Sequence, residues 1–270
     1  MSVSIRSLGW LGRAPRVPFV SDVLGRAYRQ YFIKKRGHVR LFHGLYPNFE
    51  AALADVPDGT LSDCDNEASA ERLLDEWLTI CPSDYPIMFW LAKLLPKARF
   101  VFDWGGNVGL KYFAFRRHLE FGDEHRWLVS DVPAVVELGR RIARRESPNA
   151  IQFTSGMDEL AQADILLASG VLQFVGDPLS ALRSAARLPR HLLINKLPVY
   201  ELPSAVTLQN MGSAVCPYHL FNRTQLVTDL EKLGYRLIDE WKSPEVSCRI
   251  PFHRGHSVDA YSGFYFEKET

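Results

Sequence analysis

The chain has 270 residues, 47% hydrophobic and 23% charged, which is enough apolar material for one large domain or one domain with an addition. A formal net charge of +1 removes any global argument for nucleic-acid binding. The four cysteines, Cys64, Cys81, Cys216 and Cys248, form no CxxC pair and no zinc-type spacing, so reduced thiols, a cytoplasmic location and no metal are expected.

The opening "MSVSIRSLGWLGRAPRVPFV" has no sustained apolar stretch, so a signal peptide is not expected, and no apolar run is long enough to span a bilayer. Between Arg6 and Arg40 the basic residues Arg6, Arg13, Arg16, Arg26, Arg29, Lys34, Lys35, Arg36 and Arg40 are set against one acid, Asp22. Ser21 is placed to cap a helix carrying Val23, Leu24, Tyr28, Tyr31 and Phe32 at helical spacing. Two readings stay open for this arm: attraction of an anionic substrate or membrane headgroups, or a solvated helix packed on the domain or on a second subunit of a homodimer.

Residues 1–97 read as a mainly helical extension capping the substrate side, with loops at "GLYPNF" and "DVPDGTLSDCDN". Leu73, Leu74, Trp77, Leu78 and Ile80 form a helical stripe, and "IMFWLAKLL" resumes after the breaks at Pro82 and Pro86. His43 and Tyr46 belong to this extension, His43 being a candidate substrate contact.

From Arg99 short apolar runs alternate with helical patterns, the mark of βαβ units and a parallel sheet. "RFVFD", "RWLVSD", "IQFTS", "ADILLAS" and "HLLINKL" are the five successive strands. A long loop follows, then the capped helix "NRTQLVTDLEKLG", then "YRLIDEW" and "SGFYFEK" as a late antiparallel pair. The expected fold is α/β, a Rossmann-like, mostly parallel sheet with an antiparallel last strand, over residues 98–270.

The first strand ends in "FVFDWGGNVGLK". Dinucleotide sites space their glycines G-x-G-x-x-G, but positions 105, 107 and 110 hold Gly105, Asn107 and Leu110. Asp103 stands at the strand end, where it would repel a pyrophosphate and welcome a cofactor with an ammonium and a sulfonium, and S-adenosylmethionine fits. Asp131 closes the second strand 28 residues further on, where such a sheet places a carboxylate for ribose hydroxyls. It is also a suitable helix cap, and both roles can hold together.

"VFDWGGNVG" followed by "SDVPAVVELGRRIA" resembles class I S-adenosylmethionine-dependent methyltransferases that read D-x-G-G-x-x-G and then D-x-P. More narrowly, "GLYPNFEAAL", "LASGVLQFVGDP", "CPYHLFNRTQL", "LEKLGYRLIDEW" and "YSGFYFEK" resemble a largely uncharacterised family of bacterial methyltransferases associated with surface-polysaccharide gene clusters. The resemblance runs from about Gly44 to the C-terminus. It implies that Asp103, Gly105, Gly106, Asn107 and Gly109 hold the methionine moiety, and that Asp131 takes the ribose with Val132 near the adenine. Gly156 and Met157 would line the adenine pocket, although a methionine there is also an ordinary core filler. Ser169 and Gly170 would lie beside the reactive methyl. Related O-methyltransferases carry a catalytic histidine after this strand, and the nearest position here is Gln173, which cannot act as a base.

The fifth strand delivers Asn195 and Lys196 to the same sheet edge. Tyr218 and His219 follow in "CPYHLFN", with His219 the candidate base and Tyr218 a candidate substrate contact. A histidine bonded to backbone is the competing reading. Tyr112, past the glycine turn, either covers the cofactor or packs in its helix. His253 and His256 in "HRGH" have no acidic or cysteine partner nearby and read as a surface loop.

The expected activity is S-adenosylmethionine-dependent methyl transfer to an oxygen of a small molecule or a sugar or polysaccharide precursor. The alternatives are N-methylation of a small metabolite, a cofactor-binding protein without transferase activity, and an NAD-dependent oxidoreductase, against which Asp103 speaks.

Overall fold

The computed structural model describes residues 18–37, 40–57, 79–146 and 150–269. Arg6, Arg13, Arg16, Cys64 and the stripe Leu73, Leu74, Trp77 and Leu78 lie outside the described residues.

Helix α1 spans Pro18–Lys34, so Ser21 lies within it rather than capping it. Proline suits a first helical turn because its missing N–H would have no partner there. Strand β1 (Leu41–Tyr46) and helix α2 (Phe49–Ala54) follow, and Asn48 caps α2 by accepting from Ala51 N at 2.8 Å. Helix α3 (Asp84–Leu94) leads into strand β2 (Phe100–Trp104), helix α4 (Leu110–Phe115), strand β3 (Arg126–Ser130), helix α5 (Pro133–Glu146), strand β4 (Gln152–Thr154) and strand β5 (Ile165–Ser169). Helix α6 (Pro178–Arg183) and strands β6 (His191–Leu197), β7 (Val199–Tyr200), β8 (Ala205–Asn210) and β9 (Val215–Asn222) come next. Helix α7 (Arg223–Glu231), strand β10 (Tyr235–Ser243) and strand β11 (Tyr261–Lys268) complete the chain.

The main sheet has seven strands in the order β10-β11-β6-β5-β2-β3-β4. Strands β2 to β6 pair in parallel, and β11 is antiparallel to both its neighbours. The expected mostly parallel sheet with an antiparallel last strand is therefore present. Its central strands are continuous apolar runs because both faces are covered. Val101, Leu167 and Leu193 meet Leu91, Phe113 and Val136 on one face; Phe102, Leu166 and Leu192 meet Leu182, Leu226 and Leu230 on the other.

From β2 the chain winds outward through β3 and β4, then returns across β2 to lay down β5 and β6 on its other side. The carboxyl ends of β2 and β5 thus flank the reversal of strand order, where open α/β sheets bind ligands.

The second sheet was not legible as such. It has the order β1-β8-β9-β7 and joins a strand of the N-terminal segment to a hairpin in the expected long loop. Strand β1 is short and its apolar residues suit a helix equally well; its antiparallel partner β8 lies more than 150 residues away, beyond any local pattern. The hairpin turn did leave a trace in "QNMGSA", where Gly212 has φ +85° and its N–H donates to Asn210 Oδ1 at 2.6 Å.

Alternation gives this small sheet two faces. Val206, Leu208 and Val215 pack on Phe32 of α1 and Ala52 of α2. Phe42, Tyr218 and Leu220 face Val246, Cys248, Ile250, Tyr261 and Phe174. Phe174 belongs to the turn after β5, so the second face leans over the carboxyl edge of the main sheet. Among the described residues no helix is long and apolar enough to cross a membrane.

Candidate cofactor and active site

Asp103, near the end of β2, is completely buried. Its Oδ2 accepts from Trp127 Nε1 at 3.1 Å, while Oδ1 is buried with no partner. Burial pushes the carboxyl up to about 7, against the Trp127 hydrogen bond and the positive charge of Lys111, which favour the anion. A β-carbon built on Gly106 would collide with this carboxylate, so glycine is required where the backbone folds over the acid. Gly105 (φ +68°) turns the chain away from β2, and its N–H donates to Ser130 O at 2.7 Å. Asn107 (φ 55°) and Gly109 (φ +90°) finish the turn before α4.

Asp131 follows β3. Its Oδ2 accepts from Asn107 N at 2.8 Å and its Oδ1 from Val132 N at 2.8 Å, so the acid is aimed by the glycine turn itself. Val132 packs with Val108, Val135 and Leu138. Ser130 Oγ donates to Gly156 O at 2.8 Å, with Met157 Sδ 4.0 Å from the same hydroxyl. A β-carbon on Gly156 would sit in ordinary contact with Asp158 Oδ2 at 3.8 Å, without a clash.

At the end of β5 the Ser169 hydroxyl is buried without a partner. Gly170 (φ +76°) donates its N–H to Asn195 O at 2.9 Å, and a β-carbon there would sit in ordinary contact with Gln173 Nε2 and the Lys196 β-carbon, each at 3.9 Å. Gln173 is 3% exposed, and its Oε1 has no partner. Asp103, Ser169 and Gln173 thus supply three of the four buried side-chain oxygens left unpaired among the described residues, Asp103 and Ser169 near the ends of the neighbouring strands β2 and β5 and Gln173 just after β5.

Sequence reasoning missed a contributor from the N-terminal segment. Asp84, the first residue of α3, is fully buried and receives Lys111 Nζ at 2.8 Å on each of its oxygens. Cys81 N donates to it at 3.0 Å and Asn195 Nδ2 at 3.3 Å. Lys196 Nζ lies 4.0 Å away. Burial and then the charge of Lys196 hold the Lys111 ammonium below its ordinary range, with Asp84 opposing. Asn195 Oδ1 in turn accepts from Trp241 Nε1 at 3.0 Å. No local pattern announces Asp84; only the fold brings "PSDYP" against "GLK".

Three expected contacts lie elsewhere. Tyr112 is 4% exposed and packs among Phe113, Phe121 and Trp127, because α4 turns that side inward. It supports Trp127 from below rather than covering a ligand. His43 faces α1, its ring 5.3 Å from Phe32 and 6.1 Å from Tyr28, since alternation in β1 gives the other face to Phe42. His219 lies on the opposite face of β9 from Tyr218. Its Nε2 is 3.0 Å from Gly176 O, and its ring stacks on Phe49 at 5.1 Å. Burial holds its pKa below the ordinary value. These contacts pin β9 to the loop after β5. Tyr218 is buried and donates to Tyr261 Oη at 2.7 Å, with Phe174 against its ring. In the "HRGH" segment, His256 Nδ1 is 3.2 Å from Tyr200 Oη.

Strand order and the single antiparallel strand define a Rossmann-like, mostly parallel α/β sheet, with acids closing β2 and β3. No protein-family model and no curated protein matches the chain. Solved structures resemble it at low identity. One is the 1,6-didemethyltoxoflavin-N1-methyltransferase of Burkholderia thailandensis, bound to 1,6-didemethyltoxoflavin and S-adenosylhomocysteine, with 17% identity over 79% of this chain and 94% of the other and a TM-score of 0.47. The magnesium protoporphyrin IX methyltransferase of Synechocystis, with S-adenosylmethionine bound, shares 15% identity over 68% of this chain and 77% of its own, TM-score 0.44. An O-methyltransferase family 2 protein from Planctomyces limnophilus, in complex with apigenin, shares 15% identity over 76% of this chain and 61% of its own, TM-score 0.48. Likenesses of this size leave function to the chain's own residues.

Proposed function

We propose that the chain is an S-adenosylmethionine-dependent methyltransferase acting on an oxygen of a hydroxylated small molecule, a sugar or polysaccharide precursor being the favoured class. The observation that carries the reading is Asp103, a buried acid with an unpaired oxygen at the end of β2. A buried carboxyl with one unpaired oxygen is stabilised as an anion by a neighbouring cation and destabilised by a phosphate. Asp131 completes the fit with a carboxylate at the end of β3 held by the turn's own N–H, as ribose recognition requires.

When bound, the cofactor supplies a methyl group on a positively charged sulfur. The chain's own part is mainly to position the acceptor, because in-line displacement at carbon gains most from a fixed near-attack geometry. Ser169 and Gln173 offer polar atoms for orienting an acceptor hydroxyl. In this reading His219 holds the loop after β5 through Gly176 and Phe49.

Calorimetric titration tests the cofactor. S-adenosylmethionine and S-adenosylhomocysteine should bind, and NAD and NADH should not. Binding of NADH with none of S-adenosylhomocysteine would sink the proposal. Binding without methyl transfer to any hydroxylated acceptor would favour the second reading, a cofactor-binding protein, which Gln173 in a position held elsewhere by a base supports.

A further inference from the structure

Asp84, Lys111 and Lys196 form a buried cluster with one acid and two lysines. Lys111 satisfies both oxygens of Asp84 at 2.8 Å and neutralises it. Lys196 is left over: at 4.0 Å its ammonium is beyond hydrogen-bond reach of Asp84, the one carboxylate that pairs with it among the described residues. Its side chain is only 19% exposed. A lysine so enclosed has exchanged much of its hydration for no direct partner.

The backbone at Lys196 is left-handed, with φ 54°, an uncommon state for a side chain with a β-carbon. Such strain persists where the surroundings over-determine it. Here the preceding residue, Asn195, is clamped by Trp241, Asp84 and the N–H of Gly170. The clamp sets Lys196 beside Gly170, its β-carbon 3.9 Å from where a Gly170 β-carbon would be, as far as Gln173 Nε2 is from the same point. Strand β6 lies beyond β5, on the far side from the glycine turn and Asp131. In the methyltransferase reading, that is the side left for the acceptor.

We propose that Lys196 is the recognition cation for a carboxylate on the methyl acceptor; this deepens the methyltransferase reading and rests on it. One lysine, with the Asp84 carboxylate 4.0 Å from its ammonium, suits a single negative charge better than a phosphate dianion, which calls for more donors. The acceptor class is then a hydroxy acid, such as an acidic sugar, with its hydroxyl presented to the methyl.

The test compares 4-hydroxybenzoate with 4-hydroxybenzamide by ligand-observed NMR titration, with and without saturating S-adenosylhomocysteine. The loaded protein should prefer the carboxylate by about tenfold. Lys196→Met should lose that preference and Lys196→Arg should keep it, with S-adenosylhomocysteine bound equally by all three proteins. Equal binding of the two probes, no binding of either, or a preference surviving in Lys196→Met would overturn the proposal. So would a carboxylate that binds only the unloaded protein and is displaced by S-adenosylhomocysteine, since the lysine would then serve the cofactor's own carboxylate. Failure of S-adenosylhomocysteine to bind counts against the methyltransferase reading instead, and the unloaded titration still decides whether Lys196 selects a carboxylate.

Discussion

The indole N–H of Trp127 reaches across from β3 to donate to Oδ2 of Asp103 at 3.1 Å, leaving Oδ1 buried and unpaired. One hydrogen bond does not offset the loss of water around a carboxylate, so the acid's pKa rises to about 7. A cationic ligand beside it would restore the anion. Affinity for S-adenosylmethionine is therefore expected to rise with pH by about tenfold per unit below pH 7 and to level off above it, with proton release on binding. The stability of the unliganded protein runs the other way. Because the folded pKa lies above the unfolded one, the acid's contribution is full below about pH 4 and is lost as pH rises through about 7. Asp103→Asn should flatten both profiles, and calorimetry in buffers of different ionisation enthalpy reads them. Trp127→Phe should move the binding profile to higher pH. A pH-independent affinity in the parent protein would remove Asp103 from the site.

Two glycines separate a steric requirement from a tolerated contact. A β-carbon on Gly106 strikes the Asp103 carboxylate, whereas one on Gly156 makes only an ordinary contact with Asp158 Oδ2 at 3.8 Å. Gly106→Ala should displace the acid and weaken S-adenosylhomocysteine binding by more than tenfold, with a measurable loss of thermal stability. Gly156→Ala should leave the melting temperature unchanged and still weaken binding, because the added methyl fills space used by the ligand. Unchanged binding in Gly156→Ala would take Gly156 and Met157 out of the cofactor site.

His219 separates a base from a brace. Its ring meets Gly176 O and Phe49, on the opposite face of β9 from Tyr218. His219→Ala should lower the unfolding midpoint by an amount worth about 1–2 kcal/mol, from a lost hydrogen bond and ring contact. Methyl transfer per folded molecule should fall less than tenfold, with the shape of its pH profile kept. A loss of a hundredfold or more, with the neutral-pH limb gone, would restore His219 as the proton acceptor.

What the sequence disclosed and what it hid divide along chain distance. The strands from β2 to β6 are dense apolar runs separated by helices, and the acids closing β2 and β3 sit beside local turn signals. Asp103, Asp131 and the glycine turn could be located from about thirty residues of text. Strand β1 and Asp84 could not, because what defines each is a partner far along the chain: β8 for the strand, Lys111 and Asn195 for the acid. Faces were a second blind spot. His43 was expected in a helical extension and His219 in a long loop; both lie on strands, whose period of two residues turns them away from the face carrying Phe42 and Tyr218. Tyr112 went inward for the same kind of reason on a helix.

The Asp84–Lys111 pair also makes an ordered prediction about stability. Asp84 accepts from Lys111 twice, from Cys81 N and from Asn195, and has Lys196 at 4.0 Å. Removing the acid strands two buried ammonium groups and a backbone N–H, so Asp84→Ala should cost about 3–5 kcal/mol. Lys111→Met leaves an anion that keeps two hydrogen bonds and a neighbouring cation, and should cost less. The double change Asp84→Leu with Lys111→Met removes both charges and fills the space, so it should be more stable than Asp84→Ala alone. Urea unfolding at pH 7 gives the order directly, provided the slope of free energy with denaturant stays constant across the series. If Lys111→Met were the more damaging single change, the bonds from Cys81 N and Asn195 would be too weak to hold the buried anion once its paired cation is gone.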